Sequence, residues 1–201
     1  MKRDLPQATA LQEPLFSSAH AALTFALNFS SQQYGKSAMS VLCAPGGIGS
    51  GKGLGGLDGS AQAGMIRSEL EACGRLTAAL LTARCAPKSK ICECTHACCS
   101  GRKPNDEYEA AISELCEQAM PYVAGCLSHY AIRKGVIKRY YGEKVAVGDL
   151  AELCNVTEKT VFNHKEKITR WLKGVNRDNP GAEAKAWVAF EEALRRAGIV
   201  E

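Results

Sequence analysis

The chain has 201 residues, a formal net charge of +4 at pH 7, 46% hydrophobic residues and ten cysteines. That length allows one domain or two small ones with a real core, and so small a net charge does not by itself select a partner. No apolar run approaches the roughly 18 residues that a membrane span needs, so no membrane partner is expected.

Met1 to Phe16 carries two prolines and mixed polarity, and reads as a mobile arm. Ser17 to Phe29 predicts a short helix. Its apolar segment starts too far in, and lacks the charged lead, for a signal peptide. Ten cysteines without an export signal then point to a reducing compartment, by default the cytoplasm. From Ala44 to Gly59 glycine dominates (APGGIGSGKGLGGLDG), which resists regular structure. Gly46, Gly51 and Lys52 come one residue away from a phosphate-binding P-loop. Gly53, however, stands where Ser or Thr would ligate magnesium, so nucleotide hydrolysis is not expected.

A long helix is predicted over Ser60 to Ala83, with Ile66, Leu70, Cys73, Leu76 and Leu80 on one face. Arg84 to Pro104 follows as a basic, cysteine-rich loop holding Cys92, Cys94, Cys98 and Cys99, with His96 inside and Cys85 upstream. Thiolates this dense repel one another unless a cation neutralises them, and zinc does so with four sulfur or nitrogen ligands. The four cysteines are therefore candidate zinc ligands, with Cys85 or His96 able to replace one. Reduced structural thiols and a disulfide cluster are the other readings. Arg84, Lys88, Lys90, Arg102 and Lys103 flank the cluster and are expected to lower thiol pKa values.

Asn105 then caps an acidic helix with Tyr108, Ile112, Leu115 and Ala119 at helical intervals. Pro121 and Gly125 mark a break before a helix at about Cys126 to Tyr141, which carries Tyr130, Arg133 and Ile137. The stretch Val145 to Leu172, VAVGDLAELCNVTEKTVFNHKEKITRWL, predicts two helices joined by a tight turn. Leu150, Ala151 and Cys154 form the first apolar stripe. Asn155 falls where a left-handed backbone is needed, Val156 plugs the angle, and Thr157 with Glu158 starts the second helix. Val161, His164, Ile168 and Leu172 face inward there. Lys159, Phe162, Asn163, Glu166, Lys167 and Arg170 share the opposite face. Asn179 and Pro180 begin a last helix with Trp187, Phe190 and Leu194 inward. No strand pattern stands out, so the expected class is all-α, a helical bundle with a C-terminal helix-turn-helix and a cysteine-rich loop. Three segments are expected: residues 1–59 as arm and glycine-rich loop, 60–125 as a helical hairpin bearing the cysteines, and 126–201 as a DNA-binding region with a final helix.

Charge is unevenly spread. Between Ala131 and Val175 there are ten cations and five anions, whereas Pro104 to Cys126 has five acids and no Lys or Arg. Positive charge thus gathers around the helix pair, as phosphate contact requires. The run NVTEKTVFNHKEKI resembles the recognition-helix region of LuxR-type response regulators and of sigma-factor region 4, over about thirty residues. Asn155 departs from the glycine commonest there. The resemblance implies double-stranded DNA as partner and Thr157, Glu158, Lys159, Thr160, Phe162, Asn163, Lys165, Lys167 and Arg170 as contact residues. More loosely, Leu57 to Leu172 resembles bacteriophage late-gene antitermination proteins, which implies a transcription regulator acting with RNA polymerase. The cysteine spacing departs from the paired CxxC arrangement of some of those proteins. Self-association is compatible with either reading.

His20, His129 and His164 lack partners at catalytic or metal spacing, and no nucleophile, paired-carboxylate or HExxH arrangement appears. An enzyme is not expected. Two rivals remain: a non-catalytic subunit that positions DNA for a processing enzyme, and an interaction module whose acidic helix docks a basic partner.

Overall fold

The computed structural model describes residues 15–29, 56–92, 94, 100–125 and 129–201. These are mostly helical: α1 (Ala19–Asn28), α2 (Gly56–Ala72), α3 (Arg75–Cys85), α4 (Asp106–Gln118), a 3-10 turn (Met120–Val123), α5 (Tyr130–Tyr140), α6 (Val147–Leu153), α7 (Glu158–Lys173) and α8 (Ala182–Arg196). The class is all-α with one small addition. Strands β1 (Ser89–Ile91) and β2 (Arg102–Pro104) form an antiparallel two-stranded ribbon. Among the described residues no helix is long and apolar enough to cross a membrane.

α3 holds the centre and packs on α1, α2, α4 and α8. Its residues Ala79, Leu80, Leu81, Thr82 and Ala83 are all buried, so this stretch of the helix is covered on every side. Alanines at 79 and 83 let neighbouring helices approach closely. Buried residues from Phe16 to Val200 join one hydrophobic cluster.

Several predicted boundaries move. The long helix expected over Ser60 to Ala83 is two helices, because Gly74 adopts φ +93°. The apolar period runs on across that break, and so concealed it. Ile66, Leu70 and Leu80 are buried as expected, while Cys73 and Leu76 are half-buried. The helix also starts earlier than predicted, with Gly56 and Gly59 in its first turn. Phe16, assigned to the arm, is instead buried and bridges Val200 in parallel. Residues 1–14, Gly46, Gly51, Lys52 and Gly53 lie outside the described residues, as do His96, Cys98, Cys99 and 126–128. The last helix begins at Ala182 rather than at Pro180, since Gly174 and Pro180 first pair to close a tight turn.

The ribbon is the element absent from the sequence reading. Ser89 pairs with Pro104, Lys90 with Lys103 and Ile91 with Arg102, a composition with little strand propensity. It is held at its base. The fully buried Asn105 donates from Nδ2 to the Pro87 carbonyl at 2.7 Å and accepts from Glu107 N–H at 3.1 Å, so one side chain caps α4 and anchors the ribbon.

Candidate nucleic-acid interface

The α6–α7 pair is built as its residues dictate. Asn155 has φ +51°, the sole non-glycine in the left-handed region among the described residues, and turns the chain between the helices. Thr157 Oγ1 accepts from Thr160 N–H at 3.4 Å, and Glu158 lies in the first turn beside the positive end of the helix dipole. Arg170 and Lys173 occupy the last turn, and Gly174 closes it at φ +85° by donating to the Arg170 carbonyl. Val161, His164, Ile168 and Leu172 are fully buried, as the period predicts. Trp171 joins them, stacking on Tyr122 at 4.9 Å between centroids. Its place at i+3 from Ile168 was the available signal for an inward residue the sequence reading did not name. His164 Nδ1 lies 2.8 Å from the Thr160 carbonyl, so this ring packs inside the helix pair.

α7 leans on α5, and α5 leans on α4. Gly135 makes room for α6: a Cβ there would lie 2.5 Å from Leu150 Cδ2. The outer face of α7 presents Lys159, Phe162, Asn163, Glu166 and Arg170 to solvent, with Phe162 49% exposed. Thr157 and Glu158 are exposed at its start, and Thr160 is half-buried, its hydroxyl 3.1 Å from that of Thr157. Lys165 is half-buried with its ammonium 5.6 Å from the Phe162 ring centre. Arg170 pairs with Glu166 at 2.8 Å across one helical turn. Lys167 differs from its predicted outward position. It is half-buried and donates to the Ala124 carbonyl at 3.2 Å, tying α7 to the end of the 3-10 turn.

The basic segment is less available than its charge count implies. Arg133 is buried and donates to the Cys116 carbonyl at 3.0 Å, near the C-terminal end of α4. Lys134 and Lys138 both pair with Glu109, and Arg139 donates to the Val145 carbonyl. Lys144, Lys159 and Lys173 remain exposed along the segment. The acidic helix is engaged in the same way: Glu107 pairs with Arg67, Glu114 with Arg75 and Glu109 with the two lysines. An acidic surface waiting for a basic partner finds no support in these pairs.

Cys92 and Cys94 lie past the end of β1 with their sulfurs 3.1 Å apart. Cys85, weighed as a substitute ligand, is half-buried against the core, and burial pushes its thiol up to about 11. Arg84 acts to lower it as expected, but burial outweighs that charge, and the guanidinium is itself engaged in a bidentate pair with Glu183 at 2.5 and 2.8 Å. Cys116 is buried in the core, and its thiol is likewise pushed up to about 11. Among the described residues no three His, Cys, Asp or Glu side chains are grouped to hold a metal.

No family model, no curated protein and no solved structure matches this chain.

Proposed function

We propose that the chain is a sequence-specific transcription regulator that binds double-stranded DNA, with α6 and α7 as a helix-turn-helix and α7 as the recognition helix. The observation that carries this is the solvent face of α7. An amide, Asn163, stands there beside an exposed aromatic, Phe162, and the cations Lys159 and Arg170. The other side of the same helix is seated on α5 and α6 through fully buried residues. A rigid helix offering one amide and several cations is what base reading with phosphate anchoring requires.

In this reading Asn163 makes a bidentate contact to adenine, and Phe162 meets a thymine methyl. Thr157, Glu158 and Thr160 approach the groove edge at the start of α7. Lys159, Lys165 and Arg170 contact phosphates, and Lys167 joins them by leaving the Ala124 carbonyl. The narrower form, antitermination in company with RNA polymerase, rests on the architectural resemblance alone. Zinc belongs to the same proposal, held by Cys92, Cys94, Cys98 and Cys99. Cys92 and Cys94, whose sulfurs are neighbours at 3.1 Å, would supply two of its thiolate ligands.

Selection of bound duplexes from a random pool tests the function. Asn163→Ala should relax preference at one position by about 1–3 kcal/mol, while Lys159→Ala and Arg170→Ala weaken all sequences alike. A triple variant that binds as the parent does removes this face from the interface.

A further inference from the structure

The ribbon carries a second basic surface, apart from α7. Between residues 86 and 104 the cations are Lys88, Lys90, Arg102 and Lys103, against the single acid Glu93. All four cations are exposed, and among the described residues none of them forms an ion pair. The register sets Lys90 directly opposite Lys103. Like charges facing each other across two strands repel. Lys134 and Lys138, close together on α5, are by contrast both held by the single carboxylate of Glu109. On the ribbon that opposition is left standing.

Position adds to charge. Lys88 Nζ lies 3.5 Å from where a Gly142 Cβ would be, so the ribbon base touches the turn that follows α5. That turn leads through exposed Lys144 to the start of α6, and Gly148 in α6 faces Glu158 in the first turn of α7. The five residue-to-residue steps from Gly142 to Val147 reach at most about 18 Å. The ribbon base thus adjoins the turn that leads to α6, and the start of α6 adjoins the start of α7. In a helix-turn-helix the N-terminal end of the second helix is the one that meets the bases.

We propose that the ribbon grips the phosphodiester backbone of the duplex flanking the site read by α7, with Lys90 and Lys103 each neutralising a phosphate. This rests on the DNA-binding reading above. A phosphate at each ammonium relieves the cross-strand repulsion, and counterion release makes the contact independent of sequence.

The test uses the full chain and a duplex carrying its selected site, titrated over a range of salt. Lys90→Ala combined with Lys103→Ala should reduce the log–log salt slope by about two units. Sequence rank order should be unchanged, and hydroxyl-radical protection should be lost on one flank only. Lys103→Glu separates contact from folding. It replaces a repelling cross-strand pair with an attracting one, so the thermal midpoint should hold or rise while DNA binding weakens further. An unchanged slope with both flanks protected overturns the ribbon contact. So does a loss of binding that tracks a loss of midpoint, which would make the lysines structural. Asn163→Ala in the same assay keeps the readings distinct, because it should alter preference and leave the slope. A parent that binds specifically while the ribbon variants match it overturns this inference alone. A parent with no salt-dependent affinity for any duplex overturns both.

Discussion

Asn155 decides how α6 meets α7. Its φ of +51° lies in the left-handed region, which costs most side chains roughly 1–2 kcal/mol and glycine nothing. Asn155→Gly should therefore be close to neutral in urea unfolding, and Asn155→Ala should lose about 1 kcal/mol. Equal losses for both would mean that the amide itself, rather than the backbone, holds the turn. Gly174 is stricter. It combines φ +85° with a Cβ position 2.3 Å from Gly181 N, and a backbone atom cannot swing aside. Gly174→Ala should cost about 2–4 kcal/mol, the sum of strain and overpacking, read as a shift of urea midpoint at constant slope.

Between elements, one polar tie joins α3, α5 and α8. Arg84 from α3 grips Glu183 of α8 with two hydrogen bonds, and Tyr140 of α5 donates to the same carboxylate at 2.7 Å. The guanidinium also lies 4.8 Å from the Tyr141 ring centre. Glu183→Ala leaves a cation and a phenol without their acceptor. Arg84 is 35% exposed, so the loss should be about 2–3 kcal/mol, below the 3–5 of a fully buried pair. The ribbon supplies the other test at this scale. Protein purified under reducing conditions should carry about one zinc per chain, and chelation should expose Cys92 and Cys94 to alkylation while helicity stays constant. Metal content far below that, with both thiols reacting in the native state, rejects zinc.

For the whole molecule, acid is the informative variable. Burial pushes the Glu109 carboxyl up, but hydrogen bonds from Lys138 and Lys134 outweigh that and hold it below its ordinary value. A carboxyl depressed in the folded state stabilises fully above its unfolded pKa, near about 4.3. That contribution disappears as pH falls through the lower folded value. Stability should thus fall below about pH 4.3, and Glu109→Gln should be weaker at neutral pH with a shallower acid limb. Urea midpoints across that range check it. An identical acid limb in the variant would show that the Glu109 ion pairs add nothing to the joint between α4 and α5.

Helical periodicity depends on neighbours three or four residues away, and the chain alone determined what such neighbours control. The inward set Val161, His164, Ile168 and Leu172, the Thr157 and Asn105 caps, and the turn at Asn155 all follow from local rules. Local rules also mislead where period and backbone disagree, as at Gly74, where an apolar stripe runs across a break. Charge availability is a different matter. Lys134 and Lys138 belong to Glu109, Arg133 to the Cys116 carbonyl and Arg84 to Glu183, across separations of 17 to 99 residues. No spacing rule encodes such pairs, because helix packing brings them together. The ribbon has the same origin. Its strands have little propensity of their own and pair because Asn105 and the helices on either side bring their ends together. Which residues are helical was thus written locally. Which cations stay at the surface and which are held by distant acids and carbonyls was decided by tertiary structure.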